Sequence, residues 1–527
     1  MLEIGSRFTG RFRHMVLPIF EGFLTNEFKD FVKYNFTHWR NIHGRKENGF
    51  VLIEGFHSQL KYMLRSARIA KVIEKEKKCV PIVLTSQHSQ KIKFYESYNI
   101  KNFIFLNRKI LNIFLILKAL WQTLVFLLKL PNGEDLLRLT YREINIGPFV
   151  YDTIIRQRSG LFTIDKVKIF YINDILESFF LTDCYYSYFE KYSIKYLIIS
   201  HHIFTNYGIL LQVAFKKDAE IIDVYNLNNH TKIMKELKKT TVSPRTPLKN
   251  EIEDILVNYS EDIENVVNRY LEVRFKGNLD SFDVKNAYKD KRIYNKEEFM
   301  NILGIKNNHP CVFICPHVFS DGPHSTQKIL FKDYYDWFGE TIRKIAQKHD
   351  TNWFIKSHPS AKIYNEEGIV EDYIENYKNK NIFLVPQDFS TFSLTNIADA
   401  IITVYGTVGL EFSCCGIPVI TCGKTYYTGW GFTIEPESKD EYFKLLENIE
   451  NVNKLSDEQI KYAKTIMYYL IKHEFHDVFN SNVYFKPGDN NEKSRKEIAK
   501  AFKEVNTKLK NYRYNDDPIV NRVKWII

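Results

Sequence analysis

The sequence predicts an α/β protein: two Rossmann-like, doubly wound parallel-sheet domains facing a cleft, followed by a helical C-terminal tail. Three observations carry this expectation. Two stretches, one from Phe50 and one from Cys311, alternate short apolar runs with amphipathic segments of helical period, the pattern of parallel strands joined by crossover helices. The apolar runs are near-continuous rather than alternating, as strands covered on both faces require. Between the stretches the composition turns charged and rich in Asn and Lys, with Ser243-Pro244 and Thr246-Pro247, the marks of a connection. The expected division is an N-terminal domain over 1–230, a charged helical linker over 231–305, a second domain over 306–455 and a helical tail over 456–527 that packs back across both.

In the first half, FVLIEG reads as a strand and HSQLKYMLRSARIAKVIEKEKK as a helix; CVPIVLT, SQKIKFYESYN and NFIFL continue as strand, helix and strand. Further on, YLIISHHIFTNYGILLQVAFKKDAEIIDVY reads strand, loop, helix, strand. In the second half CVFIC, NWFIK, NIFLVP and the two apolar runs around Ala400 and Val419 make about five parallel strands. Within 231–305, EIEDILVNYSEDIENVVNRYLEV is amphipathic and helical.

The segment Ile110–Leu130 is the most hydrophobic in the chain. It is long enough to span a bilayer, but Lys118 and Gln122 interrupt its middle. A buried domain helix is the first expectation. A helix lying on a membrane surface, with Trp121 at the interface, is the second.

With 74 Lys+Arg against 63 Asp+Glu the net charge is +11. Acidic small molecules and an anionic membrane surface suit that balance. The basic residues are spread rather than gathered into one arm, which disfavours nucleic acid. The 7 cysteines form no CxxC pair and several lie in apolar strands, where Cys acts as a small hydrophobe. The odd number and the absence of a signal-peptide pattern point to a reducing cytoplasm.

Three loops of the second half follow strands, so they converge at one edge of its sheet. The first runs from Pro316 to His324 and holds His317, Asp321 and His324. The second is Lys356-Ser357-His358-Pro359, and the third is Tyr405-Gly406-Thr407-Val408-Gly409-Leu410-Glu411. Gly406 and Gly409 allow close approach of a ligand to the backbone at a helix start, where free N–H groups favour phosphate. Glu411 is either a carboxylate for a sugar or ribose diol, or a first-turn acid complementing the helix dipole. Together the loops offer imidazoles, a lysine, a carboxylate and a helix N-terminus, a set suited to a phosphate-bearing donor and a proton transfer.

Other constellations are weaker. His317, Asp321 and His324 have metal-ligand chemistry, but Gly322-Pro323 breaks the helical spacing ligation needs, so no metal is expected. His473-Glu474-Phe475-His476 is one residue short of HExxH. There is no Walker A motif and no GxGxxG. In the first half, Asp152 in GPFVYDT and the adjacent His201 and His202 after a strand are the candidate acceptor-side residues.

At the three ordered loops, residues 300–450 resemble the bacterial capsule polysaccharide biosynthesis glycosyltransferases, the family that includes Kdo transferases of capsule export. The resemblance implies a GT-B arrangement, no cofactor, and a nucleotide-sugar donor with a glycan or glycolipid acceptor. Asp321 matches the family aspartate, implied to be the catalytic base or acceptor-side carboxylate; His317 stands where the family carries Gln. Lys356, His358 and Pro359 match Lys-x-His-Pro, implied to hold the donor phosphate. Thr407, Gly409 and Glu411 match the third motif, with Glu411 implied at the donor ribose and Gly406 beside them in the donor-binding turn. Gly416-Ile417-Pro418-Val419 and Tyr427-Thr428-Gly429-Trp430-Gly431 continue the match. The expectation is a cytoplasmic, metal-independent transferase of cell-surface polysaccharide synthesis, with CMP-Kdo as the suggested donor and peripheral contact with the inner membrane face. A CDP-glycerol or CDP-ribitol phosphotransferase of teichoic-acid type shares the His-Pro. A non-catalytic polysaccharide- or nucleotide-binding scaffold at the membrane is the third reading.

Overall fold

A computed structural model describes residues 25–42, 48–85, 89–106, 113–224, 246–279, 282–324, 328–377, 381–472, 477–484 and 491–527. His473-Glu474-Phe475-His476, Ser243-Pro244 and the first residues of the 110–130 segment lie outside them.

The first half is a five-stranded parallel sheet. Its strands are β1 (Phe50–Glu54), β2 (Val80–Thr85), β3 (Asn102–Phe105), β4 (Ile194–Ile199) and β5 (Glu220–Asp223), in the order β3-β2-β1-β4-β5. On β1, Val51 and Ile53 enter one apolar core while Leu52 enters the other. Both faces are covered, so no polar alternation survives in the sequence. One face carries helices α1 (Asn26–Trp39), α2 (Leu60–Lys77) and α3 (Ser89–Glu96). The other carries α4 (Ile113–Leu127), α5 (Gly147–Gln157), α6 (Ile172–Lys191) and α7 (Phe204–Lys216).

Next come α8 (Lys249–Val257), α9 (Glu261–Phe275), α10 (Phe282–Tyr288) and α11 (Lys296–Ile302). Ile252, Val267, Leu271 and Phe299 from this stretch share a core with Phe313 and Phe354 of the second sheet. That sheet has six parallel strands, one more than expected. They are β6 (Cys311–Cys315), β7 (Asn352–Ile355), β8 (Ile382–Leu384), β9 (Ala400–Thr403), β10 (Val419–Thr421) and β11 (Thr433–Ile434), ordered β8-β7-β6-β9-β10-β11. Again alternate residues of the central strand part: Cys311, Phe313 and Cys315 to one core, Val312 and Ile314 to the other. Helices α12 (Tyr334–Ile345), α13 (Ile369–Glu375), α14 (Val408–Ser413) and α15 (Lys439–Glu447) belong to this half. Each sheet reverses its strand order once, at β1/β4 and at β6/β9, and ligands of such sheets bind outside the carboxyl ends at that reversal.

The closing helices divide between the halves. In α16 (Asp457–Lys472), Ala463 and Ile466 join the second half's core. Residues of α17 (Glu492–Leu509) and α18 (Pro518–Ile526) lie in the first half's core with Val51 and Ile53. Arg68 of α2 fixes them through ion pairs to Asp477 at 2.7 Å and Asp517 at 2.9 Å. All three side chains are buried, and each charge has a partner, as burial demands.

The two halves meet through α5. Tyr151 donates its hydroxyl to Asp333 at 2.6 Å and Arg156 lies 4.1 Å over the Tyr364 ring. Helix α4 departs from the first expectation of a buried helix. Only Ala119 and Thr123 of it are buried, against α6, while Phe114 (73% exposed), Leu117, Trp121 (65%) and Leu124 face outward. Among the described residues no helix is long and apolar enough to cross a membrane.

Candidate functional site

A cavity open to solvent lies at the carboxyl ends of β6 and β9, the strand-order reversal of the second sheet. Lys356, His358, Pro359, Gly406, Thr407 and Glu411 line it, so the second and third sequence loops do converge. Cys315, Pro316, Tyr405, Thr391, Arg274 and Tyr288 complete the wall.

The charge in this cavity is positive. Lys356 follows β7, and burial among apolar strands lowers the pKa of its ammonium. Lys356 is half-buried, and among the described residues its Nζ makes no ion pair or hydrogen bond; Cys315 and the Glu411 carboxylate across the cavity offset only part of its desolvation. Beside it, His358 accepts the Ser360 N–H on Nδ1 at 3.1 Å. That assigns the ring proton to Nε2. Burial first, then His317 and Lys356, hold the pKa of this imidazole well below the usual histidine range. His358 is therefore a neutral ring with one N–H to donate. His317 does not line the cavity but touches the His358 ring, with centroids 5.2 Å apart, and packs on Tyr334 and Tyr405.

Arg274 is the residue the sequence reading missed. It comes from α9, in the stretch expected to be a linker, and reaches across to Glu411 at 2.6 Å and to the Thr407 hydroxyl at 3.0 Å. The other Glu411 oxygen accepts the Tyr288 hydroxyl at 2.5 Å. Burial works against ionising Glu411, but Arg274 and these hydrogen bonds outweigh it and the carboxyl pKa is lowered. Glu411 is thus engaged by the protein itself; its geometry is that of a support for Arg274 rather than a carboxylate turned to a ribose. The Arg274 Nε is buried with no hydrogen-bond partner among the described residues. One signal was legible: Ile263, Val267 and Leu271 form a buried stripe on α9, and Arg274 continues it at helical spacing.

Gly409 also changes role. A Cβ there would stand 2.2 Å from the Tyr427 hydroxyl, and that hydroxyl donates to the Gly406 carbonyl at 2.7 Å. This glycine admits a tyrosine, not a ligand. Helix α14 has 6 residues, so its dipole adds little beside two side-chain cations.

In the first loop, Asp321 closes a turn through its N–H to Val318 at 3.3 Å and lies off the cavity wall. Its carboxylate has no hydrogen bond or ion pair among the described residues. His324 is fully engaged: Asp152 binds Nδ1 at 2.7 Å and the N–H at 3.1 Å, and the Lys332 carbonyl takes Nε2. Burial opposes its charge, yet Asp152 and Lys332 raise its pKa. Asp152, expected on the acceptor side, is instead a buried anchor between the halves. Among the described residues no three His, Cys, Asp or Glu side chains are placed to hold a metal ion.

His201 and His202 lie at the other reversal, after β4, and do not reach this cavity. His202 binds Asp223 at 3.1 Å. His201 stacks on His57, with centroids 4.7 Å apart and an interplanar angle of 9°.

Two doubly wound parallel sheets, with a cationic cavity at the carboxyl edge of the second, define a protein of GT-B-like architecture. Residues 334–470 match the family model described as capsule polysaccharide biosynthesis protein, the family the ordered loops resemble. The chain is 26% identical over 86 residues to the capsule polysaccharide modification protein LipA of Neisseria meningitidis, which covers 16% of this chain and 12% of that protein. The chain thus spans about an eighth of that curated relative. Among solved structures it is similar to the beta Kdo 2,4 transferase KpsC of Thermosulfurimonas dismutans, at 12% identity and a TM-score of 0.30, over 51% of this chain and 79% of that one. It is also similar to a glycosyltransferase from Rickettsia africae, at 13% identity and a TM-score of 0.27, over 89% and 100%.

Proposed function

We propose that this protein is a glycosyltransferase of capsular, cell-surface polysaccharide synthesis that uses a nucleotide-activated sugar. The observation that carries the reading is the Lys356 ammonium in the second half's cavity, which no hydrogen bond or ion pair engages among the described residues. A half-buried ammonium with no carboxylate paired to it, beside a guanidinium with an unpartnered Nε, suits a ligand that brings negative charge, and a nucleotide phosphate does so. As the glycosidic bond to that phosphate breaks, charge grows on the leaving oxygen. Lys356, Arg274 and the His358 Nε2–H are preorganised to stabilise it. Asp321, on the neighbouring loop, accepts the proton of the attacking hydroxyl. The donor we propose, from the family resemblance, is a CMP-linked acid sugar such as CMP-Kdo, and the first half is the acceptor side.

The outward face of α4 supports peripheral attachment to the cytoplasmic membrane face. The loop after it is tied to Val167, whose N–H binds the Pro131 carbonyl at 2.9 Å. Ile169 and Phe170, also exposed, follow that segment, while Phe114, Leu117, Trp121, Leu124 and Leu128 are the exposed apolar residues of α4 and its end. Exposed Lys129, Lys166 and Lys168 stand at that end, a pairing suited to an anionic interface.

The test is calorimetric titration with CMP, CDP, UDP and GDP, on wild type and His358→Ala. Selective CMP binding, lost in the variant, is expected. Tighter UDP or GDP binding would keep the transferase and discard this donor. No binding to any of the four would discard the transferase reading.

A further inference from the structure

Asp321 stands on a loop that is held by a distant part of the chain. Its N–H donates to the Val318 carbonyl at 3.3 Å, so Phe319 and Ser320 are the central residues of a four-residue turn. Both are buried, and a buried N–H needs an acceptor. Glu366, itself buried, supplies one to each. One carboxyl oxygen accepts the Phe319 N–H at 2.7 Å; the other accepts the Ser320 N–H at 2.9 Å and lies 2.6 Å from the Ser320 hydroxyl. Burial raises the pKa of this carboxyl, while Ser320, the Phe319 N–H and His317 act against the rise. The hold is the same in either charge state. A proton shared between Glu366 and the Ser320 hydroxyl still leaves each carboxyl oxygen a lone pair for its N–H.

The main chain of Glu366 is tied in turn to the loop that carries His358. The Ala361 N–H donates to the His358 carbonyl at 3.0 Å, and the Glu366 N–H to the Ala361 carbonyl at 2.9 Å. Asn365, just before it, takes the left-handed conformation at φ 58°, which a short polar side chain tolerates. Further on, Glu371 of α13 accepts the Ser357 hydroxyl at 2.7 Å. Each of the two loops also takes one contact from α5 of the first half: Asp152 holds His324, and Arg156 lies over Tyr364. One carboxyl group therefore joins the loop of Asp321 to the loop of His358, beside the place where the halves meet.

We infer that Glu366 is a positioning residue for the transfer step: it fixes the main chain at Phe319 and Ser320, and so sets where Asp321 stands relative to His358. It does not line the cavity and acts through Asp321. The demand on residue 366 is for two acceptor oxygens. Glutamine has the same shape but one acceptor, so one buried N–H would face an amide NH2. The turn then shifts to find another partner, and a shift of about 1 Å at a reacting group costs on the order of a hundredfold in rate. The role of Asp321 rests on the function proposed above; the hold of Glu366 on the loop does not.

Two measurements on the full chain test it, with wild type, Glu366→Gln, Asp321→Asn and the double variant. The first is hydrogen exchange read by mass spectrometry on peptides covering 316–324. Exchange there is expected to be about tenfold faster in Glu366→Gln, with β6 and β7 unchanged. An unchanged rate overturns the inference, and so does acceleration across the whole second sheet, the mark of a general support. If Glu366→Gln fails to fold, Ser320→Ala, which removes one of the three bonds, takes its place; exchange at the wild-type rate in that variant overturns the inference. The second measurement is nucleotide release from CMP-Kdo, UDP-N-acetylglucosamine and GDP-mannose, with bacterial capsular oligosaccharides as acceptors. Glu366→Gln is expected to lower kcat about 10- to 100-fold, with the calorimetric Kd for the nucleotide within about twofold of wild type. The double variant is expected to be no slower than Asp321→Asn, because residues that act as one unit are not additive. A kcat near that of wild type, a lost nucleotide affinity, or a full further loss in the double variant overturns the inference. No release by wild type overturns the transferase reading and the positioning role with it, whereas unchanged exchange removes Glu366 alone, so the two failures read apart.

Discussion

Replacing Arg274 by Met removes the cation that makes a buried Glu411 tolerable. In the wild type the two side chains are 15% and 3% exposed and 2.6 Å apart, so solvent screens the pair weakly. Breaking a buried ion pair by deleting one partner costs about 3–5 kcal/mol. The Tyr288 hydrogen bond to the second oxygen remains, which places the expected loss near the lower end, about 3 kcal/mol. The assay is urea unfolding followed by tryptophan fluorescence, since Trp337 and Trp353 are fully buried in the second half. Adding Glu411→Gln to Arg274→Met is expected to restore most of the stability, because the uncompensated charge is gone, but not nucleotide binding. The pH dependence has a definite sign. The Glu411 carboxyl is held below its unfolded value, so the pair's contribution is complete above about pH 4–5 and is lost as pH falls through the lowered folded pKa. The deficit of Arg274→Met should therefore shrink in acid. A loss under about 1 kcal/mol, or a double variant no more stable than Arg274→Met, would refute the assignment of Glu411 as the support of Arg274.

Three further expectations follow from contacts described above. Gly409→Ala drives a methyl into the Tyr427 hydroxyl 2.2 Å away and should lower stability by about 1–3 kcal/mol, read as a fall in thermal midpoint with the Tyr427 bond to Gly406 lost. The His324–Asp152 contact between the halves strengthens with protonation: because the His324 pKa is raised, its contribution is complete below about pH 6.5 and is lost as pH rises through the folded value. Limited proteolysis between α5 and the first loop of the second half should accelerate from pH 6 to pH 9 in wild type and lose that pH dependence in His324→Phe. Leu117→Glu with Trp121→Glu, both at exposed positions of α4, should change stability by less than about 0.5 kcal/mol per site. The same pair should abolish flotation with phosphatidylglycerol-containing vesicles; undiminished flotation would remove α4 from the membrane contact.

Much of the fold was readable because burial on both faces leaves a coarse mark. Val51, Leu52 and Ile53 face two different cores yet are all apolar, so an uninterrupted run announces a parallel strand. The sixth strand of the second sheet was not readable, since β11 is 2 residues long and two residues carry no period. Lys356 and His358 reach the cavity directly from the end of one strand, and local sequence places them there. Arg274 lies 137 positions from Glu411, and the charged surface of its helix hides the buried stripe that ends on it. Asp152 and Gly409 were misjudged for the same reason: what each touches, His324 and Tyr427, is supplied by another part of the chain.

The closure of the first half by α17 and α18 sets an order of events during synthesis. Phe502, Val505, Ile519 and Val520 share a core with Phe28, Val51 and Ile53, yet they leave the ribosome after the whole second half. N-terminal domains ordinarily fold first as the chain emerges. Here the second sheet has its partners in hand while the first still lacks part of its covering, so the half made earlier is the half completed later. A stop near residue 490 should therefore spare the cavity of the second half and leave α1 and α2 without the helices that pack on them, exposing apolar surface to chaperones at the far end of the sequence from the lesion.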